Sequence, residues 1–512
     1  MKSPEDIPGY PQNDYLTNLR KYQELEQWFT GEALREVINT QTSAVEKFPI
    51  RINPVYRTVL KHAQSLFGEY QDDAEGPLVM PKVRKLDGSS DDTTLKYEQI
   101  LEALWSDNSG SASQMRNGIF SQIYGNCVFR LAYDPFDKFL TNRLRIDHIV
   151  PYEFVGYSYP DNPWMFNEAW IIRKISRKTA AQYGYEVDQP TAYYIEKWTT
   201  MEYGIYINGD PISMVFEDED FVFQNENPFG FVPFVQIPHI WAVDPNGDSL
   251  ITDTVTGIVK EYNARFADAG DAISSDTHVT AVMKNVRGTP QVINITPNLR
   301  VINLGSTQSL TGAGDKEPGL EFPERQRLAP TIIDVLRELY SEYRREVSVP
   351  AVAEGEDEGS QRSSLTLTTR MQPLAAHIRM ERINWSVALR ILHRMGLIML
   401  ATIGTPGVVA EEINGLRISS RWYPILPRDR EMLINELSVR SSNDLGSIAH
   451  LLDLTGDIED VDAEIEKILA WKKQLSEATA KPEESQPESK SSSQSTAARE
   501  KKETKKASKS DK

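Results

Sequence analysis

A chain of 512 residues with 40% hydrophobic and 25% charged side chains can bury a sizeable core and divide into roughly two to four domains. Its net charge of −18 argues against wrapping nucleic acid by phosphate neutralisation, though not against a surface past which nucleic acid slides. The single cysteine, Cys127, excludes an internal disulfide and any cysteine-rich metal site.

The N-terminal run MKSPEDIPGYPQ has no apolar core, so a secretory leader is not expected. Residues 14–40 read as mostly helical, with Trp28 and Phe29 offering burial. A second helix is expected over 53–70, where Val55, Val59, His62, Leu66 and Phe67 share one side. Gly76-Pro77 ends it, and a short strand follows in LVMPKVRKL. Asp91 and Asp92 start a third helix through Trp105, and Ser111 or Ser113 can cap a fourth ending near Gly125. From 126 to 240 the pattern turns to β: NCVFRLAYD and EAWIIRKIS alternate, and Asn208-Gly209 predicts a tight hairpin turn.

Helix returns over 249–275, with Ile251, Val255, Ile258, Val259, Tyr262 and Phe266 on one face. Short strands and turns fill 277–323. Leu328, Ile332, Val335, Leu336, Leu339, Tyr343 and Val347 then recur at helical steps. A small β unit between two long helices reads as a projection on a two-helix stalk. The next segment, SVPAVAEGEDEGSQRS, sets Glu354, Glu356, Asp357 and Glu358 around Gly355 and Gly359 and offers no apolar stripe. A long helix follows, with Leu374, Ile378, Trp385, Leu389 and Leu392 in register; Pro373 either kinks or opens it. Its apolar window is cut by Arg390, His393 and Arg394, too charged for a membrane span. One more strand region, LRISSRWYPILP, precedes a compact helical block over 429–475. Beyond it, Ser, Lys, Glu, Gln and Ala without an aromatic residue predict a disordered tail.

Catalytic signatures are missing from the sequence: no P-loop, no glycine-rich dinucleotide turn, no H-E-x-x-H and no G-x-S-x-G. Asp244, Asn246 and Asp248 imitate a calcium loop, but Ser249 and Val255 stand where glycine and glutamate belong, which favours a plain loop before a helix. Of seven histidines only His377 and His393 share a predicted helix, too far apart to touch, and each reads as a packing or surface residue. Cys127 reads as a buried small hydrophobe. The carboxylates of 354–358 are either a solvated loop or an anionic rim facing a polyanion.

The order of these segments resembles the portal proteins of tailed double-stranded DNA bacteriophages over about residues 50–475. YGNCVFRLAYD resembles the family's helix-to-strand passage. NPFGFVPFVQI resembles its recurrent Asn-Pro-Phe-Gly turn and Val-Pro strand, the most specific short match. SLITDTVTGIVKEYNARFADAGDAI is similar to the first stem helix, SVPAVAEGEDEGSQRSSLTL to the loop leading into the long helix, and SIAHLLDLTGDIEDVDAEIEKILAW to the helical crown. Ser363-Ser364 departs from the Ser-Gly-x-Ala-Leu style often seen there.

The resemblance implies an α+β portal fold. Residues 1–248 would be the N-terminal part of the wing, 249–276 stem helix 1, 277–326 the β-rich clip, 327–347 stem helix 2 and 348–362 the tunnel loop. Residues 363–428 would supply the long helix and the C-terminal part of the wing, 429–475 the crown and 476–512 the disordered tail. It implies a non-enzymatic homo-oligomeric ring, usually of twelve subunits, at the unique capsid vertex of a virion assembled in host cytoplasm. The axial channel would pass double-stranded DNA in packaging and ejection, with no cofactor, metal or membrane. Implied partners are the terminase large subunit, head-tail adaptor or tail proteins, the major capsid protein and scaffold. The packaging energy would come from the separate terminase ATPase. Glu354, Glu356, Asp357 and Glu358 would line the channel, where an anionic wall repels DNA and limits sticking. Lys284, Arg287, Arg344, Arg345 and Arg362 would face phosphates or a neighbouring subunit. Two alternatives stand beside this expectation: another phage head structural or adaptor protein, and a metal-dependent nuclease built on the carboxylates.

Overall fold

The computed structural model describes residues 3–35, 51–68, 76–134, 140, 143–216, 219–222, 224–277, 279–284, 291–296, 299–303, 319–321, 330–356, 368–425, 430–443, 445–455 and 461–479. The class is mixed α+β, and the chain divides into two units, residues 1–429 and 430–512.

Among the described residues the first unit opens with helices α1 (Gln12–Thr30), α2 (Pro54–Phe67), α3 (Asp92–Asp107) and α4 (Gly110–Tyr124), with strand β1 (Met80–Lys85) between α2 and α3. Their starts follow local chemistry. Asn53 accepts the Val55 N–H and Pro54 takes the first position of α2. Asp91 accepts the Thr94 N–H at 3.0 Å while its own N–H donates to Thr94 Oγ1, closing a capping box on α3. Gly125 ends α4 at φ +82°; a Cβ there would stand 2.4 Å from the Gly247 carbonyl oxygen, so only glycine lets the chain reverse.

The reversal feeds β2 (Asn126–Tyr133), the centre of an antiparallel sheet between β12 (Phe234–Pro238) and β3 (Leu144–Ile149). Alternation in NCVFRLAYD suggests one wet face, yet residues 126–131 are all buried. Cys127, Phe129 and Leu131 pack into the helical core, and Val128 packs on Phe154, Phe166 and Ile171 of a second sheet. A strand covered on both sides keeps its period but loses its polar face.

The second sheet runs β11–β7–β6–β5–β4, built from β4 (Phe154–Tyr159), β5 (Asn162–Ser176), β6 (Thr191–Thr199), β7 (Glu202–Ile207) and β11 (Gln224–Glu226). The short α5 (Arg177–Gln182) links β5 to β6, and β8 (Asp210–Pro211) adds onto β7. Asn208-Gly209, at φ +49° and +88°, turns β7 into β8. The β6–β7 hairpin turns instead through residues 200–201. β9 (Ser213–Phe216) and β10 (Glu219–Val222) form a separate hairpin. The first and second sheets are tied by a buried ion cluster: Arg130 on β2 donates to Asp147 on β3 and to Glu196 on β6. In the Asn-Pro-Phe-Gly turn, Asn227 donates to the carbonyls of Thr199 and Phe231, both at 2.8 Å, and accepts the Phe229 N–H.

Two long helices, α6 (Asp253–Thr277) and α7 (Pro330–Glu346), bracket a four-stranded sheet ordered β14–β15–β13–β16. Its strands are β13 (Val279–Lys284), β14 (Gln291–Thr296), β15 (Leu299–Asn303) and β16 (Gly319–Glu321), with β13 parallel to β15. The 31-residue α8 (Gln372–Thr402) then crosses the first unit, and Pro373 lies in its first turn, so it opens the helix. Trp385 of α8 is fully buried, edge-on to Phe67 at 5.5 Å and Phe129 at 6.1 Å. After α9 (Ala410–Asn414), β17 (Leu416–Arg421) pairs antiparallel with β1, joining the C-terminal part of this unit to its N-terminal helices.

The second unit is helical: α10 (Arg430–Ser442), α11 (Ile448–Thr455) and α12 (Val461–Thr479). α12 continues through Ser476 to Thr479, four residues into the expected tail, because Glu477 and Ala478 sustain a helix that composition alone discounts. Residues 480–512 lie outside the described residues. Among the described residues no helix is long and apolar enough to cross a membrane.

Candidate functional site

The acidic loop after α7 is seated on α2 by side chains from both helices. Tyr343, one turn from the end of α7, meets Thr58 Oγ1 at 2.7 Å. His62 Nε2 donates to the Val347 carbonyl at 2.8 Å. Ser348 turns the chain at φ +55°, Pro350 leads into a 3-10 turn at Ala351–Glu354, and Gly355 closes it at φ +82°. The backbone finishes the seat, with the Glu356 N–H donating to the Ala351 carbonyl at 3.1 Å.

Arg344 holds the carboxylates. Its Nε donates to Glu354 Oε2 at 2.7 Å, and its Nη2 lies 2.6 Å from both Glu354 and Glu356. The guanidinium also stacks 4.4 Å from the centre of the Tyr340 ring, whose hydroxyl donates to Glu354 at 3.0 Å. Tyr340 in turn lies 5.9 Å from Tyr262 of α6, so the stalk helices and the loop share one aromatic seam. A cleft of about 220 Å³ opens beside this fork, lined by Arg57, Thr58, Lys61, Tyr340, Glu354 and Glu356, among others. Arg57 and Lys61 stand one helical turn apart on α2 and bring positive charge to the same opening.

The sequence left Arg344 open to phosphates or a neighbouring subunit; its contacts in the structure lie within the chain. Arg345 pairs with Glu342 and, at 3.6 Å, with Glu338 on its own helix. Lys284 pairs with Glu321 across β13 and β16. Arg287, Asp357, Glu358 and Arg362 lie outside the described residues. The calcium-like run is a loop lock: the Asp248 carboxylate accepts the N–H groups of Ala242, Val243 and Asp244 at 3.0 to 3.2 Å. Asp248 sits below the usual carboxylate range; burial opposes ionisation, and these backbone donors outweigh it.

Sequence spacing missed a second constellation. His393 is a packing residue, accepting the Trp105 Nε1–H at 2.8 Å. His62 of α2, His239 after β12 and His377 of α8 instead converge, with Glu381 one turn further along α8. His239 and His377 meet Nε2 to Nε2 at 3.1 Å, and Glu381 lies 3.9 Å from His239. Burial holds His62 well below the usual imidazole range, His239 at about 4 and His377 at about 3, while it lifts Glu381 to about 7. Glu381 accepts from Ser121 Oγ and from Gln122 Nε2, so a polar face of α4 is spent on one carboxylate. The only advance signal was His377 preceding Glu381 by four residues on the predicted long helix.

Among the described residues, no group of three or more His, Cys, Asp or Glu is arranged to hold a metal ion. No family model fits the chain, and no curated protein is significantly similar to it.

Proposed function

We propose that the chain is the subunit of a portal ring, a DNA-conducting channel at one capsid vertex that acts by geometry rather than catalysis. The observation that carries this reading is the order of its parts. Two long helices bracket a small sheet; a loop seated at the base of the second leads to a 31-residue helix; a separate helical unit closes the described chain. That order matches the stem, clip, stem, tunnel loop, long helix and crown implied by the sequence resemblance.

In this reading copies of the chain close around a hole, and the loop after α7 faces the passing duplex. The loop and its anchor carry four carboxylates, Glu354, Glu356, Asp357 and Glu358, against two guanidiniums, Arg344 and Arg362. The wall therefore stays net negative, and a duplex nearer than a Debye length of about 8 Å feels repulsion rather than counterion-release binding. Arg344 sets where the charge sits. The terminase motor, and later an adaptor or tail protein, would dock on the projecting sheet, while capsid and scaffold proteins would meet the outer surface.

The test is the mass of the purified full chain. Twelve copies of a 58.0 kDa chain give a closed particle of about 700 kDa by ultracentrifugation. A chain that stays at monomer or dimer mass across salt, pH and concentration contradicts the proposal.

A further inference from the structure

The proton on each ring of the histidine trio, of which His62 and His239 are buried, is fixed by its neighbours. Carbonyls only accept, so His239 Nδ1 carries a hydrogen toward the Asp248 carbonyl at 2.9 Å, and His62 Nε2 carries one toward Val347. Neutral His239 then offers a bare Nε2, and the 3.1 Å contact makes His377 Nε2 the donor. Each ring holds one proton. His62 Nδ1 is left buried with no hydrogen-bond partner, facing His377 edge-on at 4.8 Å between ring centres.

This chain has no room for a second proton. Placed on His239 Nε2, it would confront the His377 donor, and His377 would have to shift its hydrogen or rotate. Rotation disturbs the ring packed against His62. Placed on His62 Nδ1, it would be a buried cation with no acceptor. The surroundings give little relief. From α4 come only Ser121 and Gln122, from β2 the Cys127 thiol, and from the 239–248 segment Asp248, whose carboxylate is already taken by backbone donors. From α8 come Arg382, bound to the Leu66 and Tyr423 carbonyls, and Glu381, which lies 3.9 Å from His239 Nε2 but, raised to about 7, takes up a proton itself on acidification. From the end of α7 there is the Val347 carbonyl alone.

We infer that the His62–His377–His239–Glu381 cluster is a proton-operated joint that releases the 347–356 segment from α2 on acidification. His377, partly exposed, is the point of proton entry. The inference concerns the single chain and stands whether or not it forms a ring.

The size of the response follows from linkage at His62, the ring that holds Val347. Opening returns it to an ordinary value near 6.5, so moving from pH 7.5 to 5.5 favours the open form about tenfold. His239 and Glu381 keep their contacts to Asp248, Ser121 and Gln122, none of which involves 347–356.

The experiment is hydrogen exchange of the full chain, corrected for intrinsic rates, on a peptide covering 343–356. That peptide contains the Val347, Ser348 and Val349 amides, all hydrogen-bonded in the closed joint. Protection should fall about tenfold between pH 7.5 and 5.5. His62→Gln keeps an N–H for Val347 and cannot titrate, so the fall should disappear. Protection indifferent to pH, or an equal fall in His62→Gln, would overturn the joint. So would one tightly bound zinc ion per chain, because the facing nitrogens would then be metal ligands.

Discussion

Arg344→Ala probes how the acidic loop is held. Its side chain is 16% exposed and Glu354 20%, so that pair is partly shielded, with Nε and Nη2 converging on one carboxylate oxygen, whereas Glu356 is 59% exposed and screened. A charge-assisted, partly buried contact is worth about 1.5–3 kcal/mol. The Glu356 pair adds less than about 1 kcal/mol, and the stack on Tyr340 about 0.5–1 kcal/mol. Local opening of 349–356 should therefore become easier by about 2–4 kcal/mol, or roughly thirty- to several-hundredfold at about 1.4 kcal/mol per decade. The readout is exchange of the Val349, Gly355 and Glu356 amides, whose acceptors are Arg344, Val352 and Ala351 carbonyls. Arg344→Lys keeps a point charge without the planar guanidinium and its stack on Tyr340, and should fall between wild type and alanine. Unchanged protection in Arg344→Ala would mean that the backbone turn alone positions the loop, and the anchoring role assigned to Arg344 would be wrong.

Three further outcomes follow from the core. Arg130→Met strands buried Glu196 without its cation and leaves Asp147 only Arg145, and should cost about 3–5 kcal/mol in a urea titration; adding Glu196→Gln should recover part of it. Gly118→Ala places a Cβ 2.7 Å from Phe67 Cε2, so overpacking of about 1–3 kcal/mol should outweigh the better helix propensity. Acid should destabilise the fold. His62, His239, His377 and His393 have lowered values, so below pH 6.5 the unfolded chain binds more protons and stability falls as pH falls. Glu381, raised to about 7, acts oppositely: its contribution is present below 4.5 and is lost as pH rises through 7. Near pH 5.5 the balance is about three protons, or roughly 4 kcal/mol per pH unit, and Glu381→Gln should steepen it by about one proton. A stability flat between pH 5 and 6.5 would contradict these buried neutral rings.

Legibility in the sequence tracked the range of the interaction. Helices set by their own periodicity and caps were readable: 249–276 was expected for α6 at Asp253–Thr277, and 327–347 for α7 at Pro330–Glu346. Asn208-Gly209 marked a real turn because its backbone demands positive φ, but the turn joins β7 to β8, since a dipeptide fixes a reversal and not which strands are long. Pro373 was ambiguous until the packing of α8 showed where the helix begins. Arg344 was visible as a cation beside an acidic loop; its choice of Glu354 and Glu356 depends on how Ser348 and Gly355 fold the chain back. The histidine trio was illegible, because its members come from α2, the segment after β12 and α8, and meet only when the helical core closes on the first sheet. A buried polar face on α4, where Gln114, Asn117, Ser121 and Gln122 are all fully covered, likewise defeats a rule that equates polar with exposed.

Electron microscopy of the purified chain tests the central claim most directly, with a small electron-dense label on Glu356→Cys; Cys127, being buried, stays unlabelled. The account predicts perforated rings whose hole admits a duplex and whose labels ring the inner wall. Labels on the outer rim, or particles that enclose no hole under any condition, would contradict it.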